Sequence, residues 1–378
     1  MLRYEKKNEY SISLELWTLQ QKLQDDAVAA QVYYNAFSEG RYPEKAFIEH
    51  AIKSKPEKEE EFLATLFTMD FFGDDEPNNY QWSTILNSLS KLDVNKFKNN
   101  PYLKDIDLSN INIQNNDIHF TNLSFKPYEL QQVGTVIRDN KFKTISPVGY
   151  FNEEVSFPSL FQDGSVWMSI TPSEINTMQH HLAVMKGKVI TFGLGLGYFA
   201  YMSALKDDVE SVTIVEVNQD IIDIFNQYIL PQFKESAREK INVIKADACD
   251  LFLDKEFMNN YNFCFIDIWK NRYDGIPLYC FFKENEKKLK CKTRYWIEED
   301  FISVYQEALY FYILNNLKFL GIQNDAVKNK DTAYAVFYKK IENYFKSKKY
   351  VIKDKSDIYK LIFDKQIMNK IIQTPVEA

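Results

Sequence analysis

Glycine, histidine and cysteine are scarce in this chain of 378 residues. It has 11 glycines, four histidines and four cysteines, and the cysteines are Cys249, Cys264, Cys280 and Cys291. No two cysteines form a C-x-x-C pair, and the histidines lie far from them in sequence. This spacing argues against a zinc site and against a disulfide framework. We therefore expect no metal ion and a cytoplasmic protein.

Long apolar runs and an excess of positive charge are missing as well. No segment reaches the roughly 20 apolar residues that cross a bilayer, and the first ten residues lack the apolar stretch of a signal peptide. The formal net charge is −7, which gives no broad basic field for nucleic acid. The Lys-rich stretch 283–294 is best explained as a solvated helix face or loop. We expect neither a membrane nor a nucleic-acid partner.

Hydrophobic residues make up 45% of the chain, which is typical of a folded protein, and the pattern divides into three regions. Residues 1–104 form a helical N-terminal region, with apolar residues at helical spacing over 14–37 and 51–72. Residues 105–170 contain short runs separated by Asn, Gly, Asp and Pro, which predict a small antiparallel β domain. Its strands are predicted at 117–122, 132–137, 144–146 and 165–170.

The third region, residues 171–378, alternates strands and helices. This alternation predicts an α/β fold with a Rossmann-like, doubly wound parallel sheet. The region opens on Thr171, which can cap a helix, and Glu174, which can reach back to the cap. Strands are predicted at 188–192, 211–216, 241–245, 261–267 and 294–298. Beyond residue 300 the pattern is mostly helical, at 301–320 and 332–348.

Three glycines fall within Phe192-Gly-Leu-Gly-Leu-Gly197, directly after the first of these strands. Glycines at the carboxyl end of a strand let the backbone approach a ligand that any Cβ would obstruct. The spacing is G-x-G-x-G, and Tyr198 occupies the position that the dinucleotide fingerprint requires to be small. No Gly-Lys-Ser/Thr phosphate loop follows. The turn therefore favours a nucleoside ligand without a pyrophosphate.

Acidic residues end the next three strands. Glu216 ends the second, Asp247 follows the third and Asp267 follows the fourth. Ligands of open α/β sheets bind outside these strand ends. Glu216 can accept from both hydroxyls of a ribose, and Asp247, beside the small Ala248, can accept from an exocyclic amine on a flat ring. The alternatives are an exposed strand end for Glu216 and a helix cap for Asp247, although Asp250 is the better candidate for capping.

The segments 192–197, Glu216, 246–248 and 265–267 together resemble motifs I to IV of the class I S-adenosylmethionine-dependent methyltransferases. The similarity covers about residues 171–298, and the small β domain before it further resembles the spermidine-synthase-like branch. The resemblance implies S-adenosylmethionine as the cofactor. It places the cofactor's methionine part near the three glycines, its ribose on Glu216 and its adenine N6 on Asp247.

The acceptor side of the site is less defined by sequence. Asp267 is the candidate catalytic base, or else a ligand of the cofactor amine. Five residues near the strand ends are candidates for the substrate pocket: Trp167, Glu174, Trp269, Arg272 and Tyr273. The alternative for the two Trp residues is hydrophobic packing. Polyamine synthases place a second Asp closely after the motif-IV Asp, whereas the next acid here is the more distant Asp274.

Three functions stay open at this stage. The first is a methyltransferase acting on a small molecule or a protein, and the second is an aminopropyltransferase using decarboxylated S-adenosylmethionine. The third is a non-catalytic module that keeps the ligand and binds a partner through the helical N-terminal region. That region suits substrate recognition equally well, and the sequence also leaves a homo-oligomer open.

Overall fold

Helices make up most of the first hundred residues. The computed structural model describes residues 2–109, 111, 113, 118–317 and 333–376. Its first elements are β1 (Leu2–Tyr4), α1 (Glu9–Ser38), α2 (Lys45–Ala51), α3 (Glu59–Phe72), α4 (Asn79–Ser88), β2 (Leu89–Lys91), α5 (Val94–Lys98) and α6 (Pro101–Asp105). The helix predicted over 14–37 is confirmed by α1. The prediction of one helix over 51–72 is wrong at its start, because α2 ends at Ala51 and Pro56 opens a separate 3₁₀ turn before α3.

Short strands follow, and among the described residues they form three small sheets. They are β3 (Ile118–Phe125), β4 (Gln131–Gln132), β5 (Ile137–Arg138), β6 (Thr144–Ile145), β7 (Val148–Tyr150), β8 (Val155–Gln162) and β9 (Ser165–Ser169). Strands β3, β8 and β9 pair antiparallel, as do β5 and β6, whereas β7 pairs antiparallel with β4 and parallel with β2. The single strand predicted at 132–137 is wrong, since its two ends belong to different sheets. Sequence reasoning missed β8 because Pro158 reads as a strand breaker; residue 117, the start of another prediction, lies outside the described residues.

Five parallel strands form the central sheet. The elements are α7 (Pro172–Val184), β10 (Gly187–Phe192), α8 (Tyr198–Ala204), β11 (Val209–Glu216), α9 (Gln219–Ile224), α10 (Glu235–Arg238), β12 (Ile241–Lys245), α11 (Ala248–Leu253), α12 (Lys255–Met258), β13 (Phe263–Ile266), α13 (Arg272–Asn285) and β14 (Lys292–Tyr295). The strand order is β12-β11-β10-β13-β14. All five predicted strands are present, the last lying a few residues earlier than predicted. The prediction of an α/β fold around a parallel sheet is confirmed, and the order reverses between β10 and β13, where such sheets bind ligands.

The C-terminal part is helical, as predicted. It consists of α14 (Glu298–Leu317), α15 (Ala333–Ser347), β15 (Tyr350–Ile352), α16 (Lys355–Phe363) and α17 (Lys365–Ile372). Residues 318–320 and 332 of the predicted helices lie outside the described residues. Strand β15, which was not predicted, pairs in parallel with β1. In the ranges that the structure describes, no helix is both long and apolar enough to cross a membrane.

The Lys-rich stretch 283–294 only partly fits its predicted solvated role. Lys287, Lys288 and Lys290 are exposed, in agreement with that prediction. Lys283 is buried instead, and its ammonium group lies 2.9 Å from a Glu286 oxygen and 3.3 Å from a Glu298 oxygen. The prediction is therefore wrong for Lys283, which fastens α13 to the start of α14.

Two hydrophobic cores cover the two faces of the central sheet, and a third lies beneath the N-terminal helices. Helix α1 reaches two of them, because Ile12 packs with the C-terminal helices while Val32 packs with α3 and α4. The opposite face of the sheet packs against α7, α8, α9 and Tyr102 of α6. Packing therefore runs across residues 104/105 and 170/171, and the division into three domains stays a prediction.

Several buried polar side chains link α1, the β5–β6 hairpin and α14. The Arg138 side chain, only 2% exposed, donates to the Ser303 carbonyl oxygen at 2.7 Å and lies 3.4 Å from a Glu307 carboxylate oxygen. Asp26 accepts from the Thr144 amide at 2.6 Å, and burial raises the pKa of this carboxyl. Buried charges of this kind are costly unless paired and hydrogen-bonded.

We predict that Arg138→Ala lowers the free energy of unfolding by about 2–4 kcal/mol, since it removes the buried cation that donates to the Ser303 carbonyl and pairs with Glu307. Arg41→Ala is the matched control, because Arg41 pairs with Asp70 at 2.7 Å on the surface and is 45% exposed. Its loss should cost under about 1 kcal/mol. Urea denaturation measures the stability of both variants, and equal losses would contradict a structural role for the buried Arg138 side chain.

Candidate functional site

Glycine is needed at the three positions of the turn after β10 for different physical reasons. All lie at positive φ, with values of 96°, 54° and 77° for Gly193, Gly195 and Gly197. A Cβ on Gly193 would lie 1.9 Å from the backbone oxygen of Asp267, and one on Gly197 would lie 2.6 Å from the Phe225 ring. A Cβ on Gly195 would meet nothing within 4 Å. Gly193 and Gly197 thus serve close packing within the protein, and only Gly195 borders open space.

Hydrogen bonds fix this turn to two neighbouring strands. The Gly193 amide donates to the Val215 carbonyl at 2.9 Å, and the Leu194 amide donates to Glu216 Oε2 at 3.2 Å. On the other side, the Asp267 amide donates to the Phe192 carbonyl at 2.8 Å. The ends of β10, β11 and β13 are therefore held in one arrangement, at the point where the strand order reverses.

Glu216 is anchored by backbone amides rather than left as a free strand end. Besides the bond from Leu194, its Oε1 accepts from Val217 and Asn218, each at 2.9 Å. A carboxylate has about four acceptor positions, and these three amides use three of them. The half-buried carboxylate is thus oriented toward the glycine turn and keeps acceptor capacity for a ligand hydroxyl.

Asp247 is the N-cap of α11. Its Oδ1 accepts from the Cys249 amide at 2.7 Å and from the Asp250 amide at 3.2 Å. The preference for Asp250 as the capping residue is therefore wrong, because Asp250 lies inside the first turn of the helix. Both bonds use a single oxygen of Asp247, and Ala248 is the first residue of the helix beside it.

Two acids, Asp267 and Glu174, interact electrostatically near the end of β13. Burial raises the pKa of Asp267 well above its usual range, and the negative charge of Glu174 raises it further. Burial also raises the pKa of Glu174 to about 7. Thr171 caps α7 as predicted, by accepting from the Glu174 amide at 3.3 Å. Both shifts favour the protonated forms of these two carboxyls.

The loop after Asp267 leads into α13. Trp269 is 5% exposed and packs edge-on against Phe301, with ring centroids 5.3 Å apart. This contact agrees with the alternative of hydrophobic packing that the sequence left open for Trp269. Arg272 lies 3.5 Å from an Asp300 oxygen and donates to the Tyr273 hydroxyl at 3.3 Å. Tyr273 is 65% exposed, so these two side chains lie at the rim of the loop.

Asp274 has a structural role in the same loop. Its carboxylate accepts from the Asn271 amide at 2.9 Å and from the Lys270 amide at 3.0 Å. Together with Asn271 it forms the capping box at the start of α13. Asp274 thus works as a helix cap, and Glu174 supplies the second acid near Asp267. The sequence spacing gives no indication that Glu174 and Asp267 interact.

The remaining candidate and the missed residues lie on the side of the small β domain. Trp167 is half-buried on β9 and packs on the core that contains α7. Sequence reasoning missed Asn100 and Tyr102, whose side chains bond to Tyr198 and to the glycine turn. Pro101 marks the start of α6 but carries no signal for this long-range contact.

A cavity of about 560 Å³ lies at the opposite edge of the sheet. Its lining includes Gly187, Asn262 and Lys292, which lie at or before the starts of β10, β13 and β14. It is therefore remote from the glycine turn and from the acids at the carboxyl ends of the strands. The candidate site is the carboxyl edge, where those groups converge.

We predict that Gly193→Ala lowers the free energy of unfolding by more than about 3 kcal/mol, because its Cβ would collide with backbone that cannot move aside. Gly195→Ala is the control, since its Cβ meets no atom and only positive φ is strained, at about 1–2 kcal/mol. Chemical denaturation separates the two, and a loss for Gly195→Ala as large as that for Gly193→Ala would contradict the proposed difference.

The raised pKa of Glu174 predicts that stability falls as pH rises. Between its ordinary value of 4.5 and about 7, the folded state holds more protons at this group than the unfolded state, so stability is lost through that window. The loss should be about 1–3 kcal/mol between pH 5 and pH 8.

Glu174→Gln should reduce that loss, since the amide stays neutral, and denaturation curves at both pH values measure it. The exposed Glu153 provides a matched control: Glu153→Gln should keep the wild-type dependence. An undiminished slope in Glu174→Gln would refute the assignment.

The similarity of this chain to known proteins is low. No model of a known protein family matches the sequence, and no curated protein matches it. Among solved structures, spermidine synthase from Thermotoga maritima is similar, with 16% identity and a TM-score of 0.29 over 40% of this chain and 58% of that one. A spermidine synthase in complex with the transition state analogue AdoDATO has 14% identity and a TM-score of 0.28 over 40% of this chain and 60% of that one. The chain spans less than two thirds of either structure, and a likeness at this level assigns no substrate or reaction.

Proposed function

We propose that the carboxyl edge of the sheet binds S-adenosylmethionine and that the protein is a methyltransferase with a Rossmann-like fold. The acceptor would be a small molecule or a protein. The observation that carries this proposal is the bond between the Leu194 amide and Glu216 Oε2, 3.2 Å long. It holds a carboxylate against a glycine turn at the point where the strand order reverses, which is where nucleotide ligands bind in α/β sheets.

Each part of a nucleoside ligand has a counterpart at this edge. The fourth acceptor position of Glu216 suits a ribose hydroxyl, and the open space beside Gly195 suits the chain attached to the ribose. Asp247 and Ala248 lie after the next strand, where an adenine ring would reach them. No group of the turn replaces the Lys of a phosphate loop, which favours a ligand without a pyrophosphate.

The chemistry requires little beyond alignment and a place for a proton. The cofactor, when bound, supplies a methyl group activated by a positively charged sulfur. The fixed ends of β10, β11 and β13 would orient it, and orientation supplies much of the acceleration in such transfers. Asp267, whose pKa burial raises well above its usual range, would accept the proton of the acceptor in its ionised form.

An aminopropyltransferase is the second candidate, and the pairing of Glu174 with Asp267 favours it. Two carboxyl groups in a partly buried position attract a cationic amine and can take its proton before attack. The acid expected directly after the motif-IV Asp is replaced here by Asp274, which caps a helix. The amine would therefore have to be held by Glu174 from α7.

We predict that Glu216→Ala weakens S-adenosylmethionine binding about 10- to 100-fold, because a charged hydrogen bond contributes about 1.5–3 kcal/mol. Glu210→Ala is the matched control, since Glu210 lies exposed near the start of the same strand β11. Isothermal titration calorimetry measures both.

The same titration compares the two functions. Tighter binding of decarboxylated S-adenosylmethionine than of S-adenosylmethionine would favour aminopropyl transfer. If a folded wild-type protein binds neither, both enzymatic proposals fail. Binding that is unchanged in Glu216→Ala would disprove the assignment of the site.

A further inference from the structure

The helical N-terminal region touches the glycine turn directly, through α6. Tyr102 is fully buried, with 0% of its surface exposed, and its hydroxyl donates to the Leu196 carbonyl oxygen. Leu196 lies between Gly195 and Gly197 and is itself only 4% exposed. A residue 94 positions earlier in the chain therefore satisfies a buried backbone acceptor inside the turn.

This acceptor depends on Tyr102. Leu196 lies between two residues at positive φ, in a turn rather than in a strand or helix. A buried carbonyl that loses its partner pays the full cost of desolvation. Without the Tyr102 hydroxyl, rotation of the Leu196–Gly197 peptide toward water would be favoured, which would change the backbone of the turn at Gly197.

A second contact from the same segment fixes the residue after the turn. The Asn100 side-chain amide donates to the Tyr198 hydroxyl at 3.0 Å, while its oxygen caps α6 by accepting from the Tyr102 amide at 3.0 Å. The Tyr102 and Tyr198 rings lie 5.5 Å apart between centroids. Tyr198, which stands where the dinucleotide fingerprint requires a small residue, is thus the surface on which α6 packs.

We infer that Tyr102 is a positioning residue for the ligand site, so that the helical N-terminal region controls nucleoside affinity at the glycine turn without touching the ligand. The identity of the ligand rests on the proposed function. The contact itself rests on the buried hydroxyl, the Leu196 carbonyl and the Asn100–Tyr198 bond.

Tyr102→Phe tests this inference, since it removes the hydroxyl and keeps the ring. Tyr201→Phe is the matched control, because the Tyr201 hydroxyl donates to Asp105 at 2.6 Å. This hydrogen bond also joins α6 to α8, but it does not involve the glycine turn. The first measurement is hydrogen exchange of peptides covering residues 193–198, without ligand. The second is the Kd for S-adenosylmethionine by calorimetry.

Tyr102→Phe should speed exchange in 193–198 and weaken binding about 5- to 10-fold, as expected for one neutral hydrogen bond. Tyr201→Phe should lower the melting temperature with neither effect. Wild-type exchange or an unchanged Kd in Tyr102→Phe would overturn the inference, as would equal effects in Tyr201→Phe. If the wild type binds no S-adenosylmethionine, the proposed function fails, and the exchange data alone decide whether Tyr102 positions the turn.

Discussion

The close approach of two backbones, at Gly193 and Asp267, is the constraint on which the carboxyl edge depends. A Cβ at residue 193 would come within 1.9 Å of the Asp267 carbonyl oxygen, so glycine is required there for packing before any ligand is considered. The Asp267 amide then bonds to Phe192, which fixes where β13 ends. The glycine turn and the acid after β13 are therefore one structural unit.

This constraint also determines the electrostatics of the site. The end of β13 is held against β10, and there the half-buried Asp267 is affected by the charge of Glu174 of α7; both carboxyls have raised pKa values. Glu216 lies on the other side of the same turn, where three backbone amides bind its carboxylate. The edge thus combines an anchored carboxylate on one side with two carboxyls of raised pKa on the other.

The sequence predicts the central sheet well and the contacts between distant segments poorly. Buried parallel strands are largely continuous apolar runs, so 188–192 and 261–267 were recognisable without any partner. The strand at 155–162 was not recognisable, because the proline at position 158 argues against a strand. The proximity of Glu174 and Asp267, like that of Tyr102 and Leu196, depends on how α7 and α6 pack on the sheet. Side-chain periodicity records which face of a helix is buried but not which atoms it meets.

The position of the N-terminal region argues for a supporting role as well as any role in recognition. Helix α1 packs into two cores at once, and β1 pairs with β15 from the far end of the described chain. Residues 100–105, at the end of this region and just beyond it, bond to the glycine turn and to α8. A segment that shares its core with the sheet and satisfies a buried carbonyl at the carboxyl edge cannot be removed without changing that edge.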